Sequence, residues 1–277
     1  MNETLNLGEN IVWQATASGK QQQIPGNCRR RVGQAMGDYS MLSDGDRVLV
    51  GVSGGIDSLV LAWLLQGWGK KAPISYAVQG VHVDMEPEGE RPGSVARQIS
   101  TCLKGLGISC QILPVAWKPS EELPASGKTK DVCFRCARSR RTQLFEYADH
   151  HGYGKLALGH HRDDIIETFF INMMHAGNLS TMVPRQDLFS GRLAIIRPLA
   201  YLEKKEVEAI GANVGLQAIR SFCPLSEKTR RIDIHLMLEQ IYAQLPNAKK
   251  HIFAALSNVR PEYLLRSIRK DSHADAS

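Results

Sequence analysis

Two groups of residues in this sequence have the types and spacing for chemistry, and the first is the turn Ser53–Ser58, which reads Ser-Gly-Gly-Ile-Asp-Ser. It directly follows the nearly continuous apolar run Arg47–Val52, so it joins a predicted strand to a helix that begins at Asp57. Glycines let consecutive N–H groups point at one place, and a helix N-terminus adds its positive dipole end. An ordinary strand–turn–helix connection uses the same residue types, but the carboxyl end of a first strand is where open α/β sheets bind ligands. We therefore predict an anion site.

Within this turn, the hydroxyls of Ser53 and Ser58 can donate to phosphate oxygens, and Asp57 can cap the helix. No Gly-Lys-Ser/Thr follows at the spacing of a Walker A loop, and the Gly-x-Gly-x-x-Gly dinucleotide pattern is absent. The site is thus of a different phosphate-binding type.

The second group is the pair Cys133 and Cys136, which we place in a loop entering a helix, with Cys223 far along the chain. A close pair can bind one metal ion or cluster, and a helix N-terminus favours thiolates. A structural zinc ion usually takes two close pairs, and the sequence has no second one. Spacing alone leaves zinc, a redox dithiol and an iron–sulfur cluster open. The scattered cysteines Cys102 and Cys110 fall in patterns of a buried helix and strand.

A third polar segment, Gly159–Asp164, reads Gly-His-His-Arg-Asp-Asp at the end of a predicted strand, Lys155–His160. Of Asp163 and Asp164, we expect one to cap the next helix and the other to lie nearer a magnesium ion. His160 and His161 fit a structural role as well as a catalytic one.

The elements that must position these residues alternate along the chain. Strands and helices that alternate along a chain form a parallel sheet with helices on both faces. The fold class is therefore α/β, a Rossmann-like doubly wound sheet with an N-terminal helical arm and a C-terminal helical extension. The predicted strands are Arg47–Val52, Ile74–Asp84, Ser109–Trp117, Lys155–His160 and one or two within Arg192–Leu199; the predicted helices include Asp57–Trp68, Ser94–Leu106, Phe134–His151 and Asp163–Ala176.

Length and composition are typical of a globular protein. The 277 residues are 43% hydrophobic and 22% charged with a net charge of +6, which excludes wholesale disorder and permits an anionic partner. We find neither a secretory signal nor a membrane span, so we expect a cytoplasmic protein with reduced thiols. The predicted parts are an arm and helix (1–45), the α/β domain (46–200), its helical C-terminal part (201–269) and a tail (270–277).

Basic clusters are candidates for binding nucleic acid phosphates, although a basic helical face is usually just solvated. The first follows the cysteine pair and contains Arg135, Arg138, Arg140 and Arg141. Others are Arg29–Arg31, Lys204 with Lys205, Lys228 with Arg230 and Arg231, and Lys249 with Lys250.

The turn Ser53–Ser58 resembles the SGGxDS pyrophosphate loop (PP-loop) of the ATP pyrophosphatases, which adenylate a substrate and release pyrophosphate. The segments Gly127–Arg141 and Leu158–Asp164 resemble the tRNA 2-thiocytidine synthetase family, as do Arg31–Ala35 and Ile196–Ala200. The likeness spans roughly Arg31 to Leu265, with the motifs in the family's order.

This resemblance implies an enzyme that thiolates cytidine 32 of the tRNA anticodon loop with ATP, Mg²⁺ and an oxygen-sensitive 4Fe-4S cluster, and that forms a homodimer. Sulfur would come from a donor such as a cysteine desulfurase. The implied cluster ligands are Cys133, Cys136 and Cys223; the implied nucleotide-binding residues are Ser53, Gly54, Gly55, Asp57, Ser58, Asp84, Gly159 and His160; and we assign catalytic roles to Asp57, Arg140, Asp163 and Asp164.

Two positions depart from the family pattern. Ile56 stands where the family loop commonly has Lys, which affects only the fine affinity for ATP, and Ser226 replaces a further cysteine that three cluster ligands make unnecessary. Alternative hypotheses are a 2-thiouridine-forming thiolase and a lysidine-forming synthetase of the same superfamily. Thiolases of the T-loop uridine carry extra zinc-binding cysteine pairs that are missing here, and the lysidine enzymes lack this cysteine set. A non-catalytic iron–sulfur or zinc RNA-binding protein would not explain the turn Ser53–Ser58.

Overall fold

The computed structural model describes residues 24–70, 72–117, 129–219 and 230–265. By its contacts the chain divides into two compact units, one ending at Ile234 and the other beginning at His235. The first unit contains the sheet and every site residue discussed below. None of the helices in the described ranges is long and apolar enough to cross a membrane.

A six-stranded sheet, ordered β3-β2-β1-β4-β6-β5, forms the centre of the first unit. All neighbouring strands are parallel except β5, which runs antiparallel to β6 at the edge. This confirms the predicted doubly wound α/β fold. The strands are β1 (Asp46–Gly51), β2 (Tyr76–Asp84), β3 (Cys110–Pro114), β4 (Lys155–Ala157), β5 (Arg185–Leu188) and β6 (Leu193–Ile196).

Eight α-helices occur in the described residues: α1 (Gly26–Asp38), α2 (Ile56–Gly69), α3 (Ser94–Gly105), α4 (Thr129–His150), α5 (Arg162–Ala176), α6 (Lys204–Asn213), α7 (Arg230–Gln244) and α8 (Ala248–Ala255). Short 3₁₀ helices span Phe189–Gly191 and Pro261–Tyr263.

Alternate side chains of β1 enter two different hydrophobic cores, because successive residues of a strand point to opposite faces. Val48 and Val50 pack with residues of α1, α2, α3 and α6. Leu49 packs on the other face, against residues of α4 such as Ala148. Burial on both faces explains why the central residues Val48, Leu49 and Val50 are all apolar.

The chain reverses direction across the sheet at β1. It proceeds outward through β2 and β3 on one side and then returns to β4 and β6 on the other. Ligands of open α/β sheets bind at such a switch point, outside the carboxyl ends of the strands. The turn Ser53–Ser58 leaves β1 at this position, and Gly159–Asp164 follows the neighbouring β4, as predicted.

Four elements differ from the sequence prediction, and one of them is β4, which ends at Ala157, short of the predicted His160. Helix α4 begins at Thr129, so the cysteine pair lies within the helix, near its start, and not in a preceding loop. Strand β5 has no counterpart in the prediction because its residues, half-buried at the two ends and exposed in the middle, form no apolar run. Strand β3 ends at Pro114, short of the predicted Trp117, and proline has no N–H for the ladder.

Candidate active site

Hydrogen bonds within the turn Ser53–Ser58 fix its shape. The Ser53 N–H donates to Oγ of Ser58 at 3.2 Å, and the Gly55 N–H donates to Oγ of Ser53 at 3.3 Å. The Ser58 hydroxyl in turn donates to the carbonyl oxygen of Gly55 at 2.8 Å. The two serines therefore stabilise the turn through hydrogen bonds within it. Helix α2 begins at Ile56, and the first N–H groups of a helix have no hydrogen-bond partner within the helix.

Gly54 is the one residue of this turn that must be glycine. Its φ is +89°, and a Cβ atom there would lie 2.7 Å from the carbonyl oxygen of Ile219. The Ile219 N–H also donates to the Gly54 carbonyl at 2.9 Å. The backbone four residues before Cys223 is thus held against the turn; Cys223 itself lies outside the described residues.

Gly159 brings the chain after β4 against the same turn. A Cβ atom at Gly159 would lie 2.9 Å from the carbonyl carbon of Asp57 and 3.0 Å from the Ser58 nitrogen. Only a residue without a side chain allows this approach. The structure therefore places Gly159 beside the turn, as the sequence prediction requires, and its contact with a nucleotide stays a prediction.

Asp57, in the first turn of α2, forms an ion pair with a lysine from a different helix. Nζ of Lys204 lies 2.8 Å from both carboxylate oxygens of Asp57. Nε2 of His161 lies 4.0 Å from Oδ1 of the same carboxylate. The Asp57 side chain is therefore oriented by residues of the chain that follow β4 and β6.

Asp163 and Asp164 both organise helix ends. His161, not an aspartate, is the N-cap residue of α5, and it forms a capping box with Asp164. The second oxygen of Asp164 pairs with Arg231 at 2.6 Å. Asp163 accepts the Lys204 N–H at 2.8 Å and so links the starts of α5 and α6. Asp164 lines the cavity described below; the catalytic roles of both acids stay predictions.

Asp84 and His82 lie side by side at the end of β2. Both oxygens of the buried Asp84 accept backbone N–H groups, from Glu86 at 3.0 Å and Gly93 at 2.7 Å. Asp84 thereby closes the loop after β2. Nδ1 of His82 lies 2.8 Å from the Val52 carbonyl oxygen, and burial lowers the pKa of His82, so its ring is neutral at pH 7.

His160 follows Gly159 and contacts the buried Arg197. Burial, followed by the charge of Arg197, lowers the pKa of His160 to about 4. Burial likewise lowers the pKa of Arg197 to about 10, with the charge of Arg141 as a second cause. Arg197 therefore stays protonated at pH 7 while His160 is neutral.

These residues surround one cavity of about 800 Å³ at the carboxyl edge of the sheet. A cavity of this size can accommodate a nucleotide-sized ligand. The turn after β1, the end of β2, the chain after β4 and helix α4 all contribute walls. Lining side chains include Ser53, Asp57, Ser58, His82, Asp84, Arg140, Arg141, His160, Asp164, Arg197 and Arg231.

Cys133 and Cys136 are half-buried and one helical turn apart, on the part of α4 that leads to this cavity. Ala137, the next residue, lines the cavity, as does Arg140 one turn further. Two thiols at this spacing lie on one face of a helix and fit a shared metal or cluster. In the described part of the chain no group of three His, Cys, Asp or Glu side chains is placed to hold a metal ion, so a third ligand would come from outside it.

The other described cysteines are poor ligands and nucleophiles. Burial raises the pKa of Cys102 and raises that of Cys110 to about 11. Burial and then the charge of Glu206 raise the pKa of Cys28. Cys102 is buried, as the sequence predicts, whereas Cys110 is only half-buried.

Several basic residues proposed from the sequence as phosphate contacts are engaged within the protein. Arg31 pairs with Glu206, and Arg231 pairs with Asp164. The arginines at positions 138, 140 and 141 of α4 are exposed, and the last two also line the cavity. Helix α4 therefore offers the basic surface nearest the candidate site.

Two features of the site escape the sequence analysis. The sequence pattern presents His82 only as part of a strand, although a histidine in the otherwise apolar end of β2 is a usable signal. The approach of Lys204 to Asp57 has no sequence signal, because 147 residues separate them.

Fold and site together define an ATP-binding protein of the PP-loop class, and the PP-loop domain family matches residues 26–220. A tRNA-cytidine(32) 2-sulfurtransferase of Pseudomonas syringae pv. syringae is 37% identical over 251 residues, which cover 90% of this chain and 89% of that protein. The Pseudomonas putida protein of the same name shows the same identity and coverage. The chain belongs to the tRNA-cytidine(32) 2-sulfurtransferase family.

A solved structure, the U34-tRNA thiolase NcsA of Methanococcus maripaludis with its 4Fe-4S cluster, has the same fold. Its TM-score is 0.68 at 22% sequence identity, and the match covers 86% of this chain and 79% of that one.

Proposed function

We propose that this protein is an ATP-dependent, iron–sulfur-dependent sulfurtransferase that converts cytidine 32 of tRNA to 2-thiocytidine. Relatives from two Pseudomonas species are named tRNA-cytidine(32) 2-sulfurtransferase, and each aligns with 90% of this chain. The single observation in the structure that supports the proposal most strongly is the shared cavity. Ser53 and Asp57 of the PP-loop and Arg140 of the cysteine-bearing helix all line it.

The reaction follows from the chemistry of the base. The oxygen on C2 of cytidine is a poor leaving group, so it first attacks the α-phosphorus of ATP, and the bond to the β-phosphate oxygen breaks to release pyrophosphate. Sulfur then forms a bond to C2, the C2–O bond breaks, and AMP leaves with the oxygen. The protein must therefore hold the triphosphate, the base and a sulfur source at one place.

The pyrophosphate would lie on the turn Ser53–Ser58. Gly54 and Gly55 give it close access to backbone, Ser53 and Ser58 hold the turn, and the N-terminus of α2 stabilises the negative charge that develops on the leaving group. Asp84 shapes the adjacent loop for the adenosine, and Gly159 and His160 complete the wall beside β4.

The base and its C2 would lie between the PP-loop and α4. His160 is neutral at pH 7 and can donate a hydrogen bond to the substrate from Nε2. Arg140 can stabilise negative charge on the phosphate being transferred. Asp163 and Asp164 act by holding the chain after β4 in position.

Cys133, Cys136 and Cys223 would hold a 4Fe-4S cluster. When bound, the cluster supplies an iron with no protein ligand at which sulfur is delivered. The spacing of the helical pair fits this role, and the backbone contact between Ile219 and Gly54 keeps the chain leading to Cys223 near the PP-loop.

Mg²⁺ would enter with ATP. No described cluster of acids or histidines surrounds one point, and Mg²⁺ characteristically keeps several waters and binds substrate phosphates. We further propose a cytoplasmic homodimer that receives sulfur from a donor such as a cysteine desulfurase.

The test is anaerobic reconstitution with ATP, Mg²⁺, a sulfide source and a tRNA transcript that contains cytidine 32. Nucleoside mass spectrometry should detect 2-thiocytidine, with pyrophosphate released in equal amount. A matched transcript with uridine at position 32 is the control and should yield no thionucleoside. Formation of 2-thiouridine instead would redirect the proposal to a uridine thiolase, and tRNA binding without pyrophosphate release would indicate a non-catalytic RNA-binding protein.

A further inference from the structure

The PP-loop of this chain contains a carboxylate but no cation of its own. Ile56 occupies the position between Gly55 and Asp57, and it packs against α6, where a Cβ atom on Gly211 would lie 2.5 Å from its Cδ1. The carboxylate of Asp57 lines the cavity. A negative charge at an anion site opposes binding unless a positive charge offsets it.

Lys204 supplies that positive charge from α6. Its Nζ lies 2.8 Å from both oxygens of Asp57, and Glu208 is a weaker partner at 3.7 Å. The Lys204 side chain is 37% exposed, so part of it is accessible from solvent. An ammonium group has three N–H donors, and two oxygens of Asp57 do not exhaust them.

The base of the Lys204 side chain is fixed by three contacts. Its backbone N–H donates to Asp163 at 2.8 Å, and Glu203 and Glu206 form a capping box at the start of α6. Gly211 holds the same helix against Ile56. The lysine is therefore directed at the PP-loop by the packing of α6, and not by the ion pair alone.

We infer that Lys204 is the cation of the pyrophosphate loop: it neutralises Asp57 and donates a hydrogen bond to the phosphates of bound ATP. This rests on the proposed use of ATP at Ser53–Ser58, and it assigns Lys204 to the nucleotide and not to tRNA.

The test measures equilibrium binding of ATP, pyrophosphate and adenosine to the full-length parent and to the Lys204→Gln variant. We expect Lys204→Gln to weaken ATP and pyrophosphate about tenfold, the equivalent of about 1.4 kcal/mol, and to leave adenosine unchanged. Lys204→Arg should retain most of the affinity. Lys205→Gln is the matched control, since it removes the same charge from the adjacent, exposed position of α6, and it should bind all three ligands like the parent.

Parental affinity of Lys204→Gln for pyrophosphate would overturn the inference, as would an equal loss for adenosine, which would indicate general disruption of the cavity. If the parent protein binds neither ATP nor pyrophosphate, the proposed function itself is refuted, and the role of Lys204 is refuted with it.

Discussion

Nε of Arg197 lies 3.2 Å from Nδ1 of His160, and it is the donor in this hydrogen bond. A guanidinium group can only donate, so Nδ1 must accept and the proton of the neutral imidazole resides on Nε2. Burial, followed by the charge of Arg197, keeps His160 neutral, and the hydrogen bond from Arg197 fixes its tautomer. The cavity receives a neutral N–H donor at the carboxyl end of β4.

This pair predicts how stability depends on pH. The pKa of His160 is about 4 in the folded protein and about 6.5 in the unfolded chain, so between these values the unfolded state binds the extra proton. The free energy of unfolding should therefore fall as the pH falls from 6.5 towards 4, with a contribution of up to about 1.4 kcal/mol per pH unit from this residue. Above pH 6.5 this contribution fades, because the histidine of the unfolded chain progressively loses its own proton.

His160→Gln should flatten the slope, because the amide oxygen still accepts from Arg197 but does not titrate. Urea denaturation at several pH values gives the comparison. His175→Gln, at an exposed position of α5, is the control and should keep the parental slope. An identical slope in His160→Gln and the parent would contradict this account of His160.

The central fold and the position of the PP-loop were predictable from the sequence because both depend on local patterns. Val48–Val50 are apolar because β1 is buried on both faces. The turn after β1 needs a positive φ at position 54, and glycine is the residue that adopts it readily. The edge strand β5 was not predictable, since an edge strand with solvent-facing residues has no distinctive hydrophobic period.

Long-range ion pairs were equally beyond the sequence. Lys204 and Arg231 stand out in the sequence only as members of basic clusters, and their partners Asp57 and Asp164 lie far away in the chain. Sequence spacing indicates which residues share a helix face, but only the packing of α6 against α2 brings Lys204 to the PP-loop.

The PP-loop predicts a specific effect of Gly54→Ala. The positive φ costs about 1 kcal/mol or more for alanine. The added Cβ atom would also lie only 2.7 Å from the Ile219 carbonyl oxygen and would push it away. ATP binding should be lost, and the cluster should become labile because the backbone leading to Cys223 shifts. Gly45→Ala is the matched control: its φ is +80° but nothing lies within 4 Å of a Cβ atom, so it should carry the strain and still bind ATP.

Ser53→Ala and Asp57→Ala separate the nucleotide from the cluster. Both should abolish ATP-dependent thiolation, since they alter the PP-loop, while the visible absorbance of the cluster stays at the parental level. Nucleoside mass spectrometry and the absorbance spectrum are the two measurements. Normal ATP turnover by either variant would show that the loop is not the nucleotide site.

The cysteines should divide into two classes. Anaerobically purified protein should contain one 4Fe-4S cluster per chain, and Cys133→Ala, Cys136→Ala and Cys223→Ala should each lose iron and activity. Cys102→Ala and Cys110→Ala should keep both, because these thiols are removed from the cavity and burial raises their pKa. Iron analysis measures the outcome, and stoichiometric zinc in a fully active, iron-free protein would refute the assignment.

The exposed arginines of α4 should contribute to tRNA affinity by binding phosphates. Arg138 is exposed and Arg141 lines the cavity, so both can reach a backbone that delivers its base to the site. For every phosphate that an arginine no longer neutralises, the slope of log affinity against log salt concentration should decrease by about 0.7 to 0.9. The Arg138→Gln and Arg141→Gln double variant should therefore bind every tRNA more weakly and with a flatter salt dependence, at unchanged iron content. Arg140 is left intact because of its proposed role in the reaction.

A second double variant, Arg47→Gln with Arg192→Gln, controls for charge alone. Arg47 lies near the start of β1 and Arg192 immediately precedes β6, so both are at the amino edge of the sheet, opposite the cavity. This variant removes the same two charges from the protein but leaves the arginines of α4 that are predicted to bind phosphate. The salt dependence of its tRNA affinity should match that of the parent. If the net charge of the protein alone attracted tRNA, both double variants would show an equally flattened salt dependence. A parental slope in the α4 double variant would instead mean that these arginines face solvent and that the tRNA surface lies elsewhere, with the C-terminal helices as the next candidates.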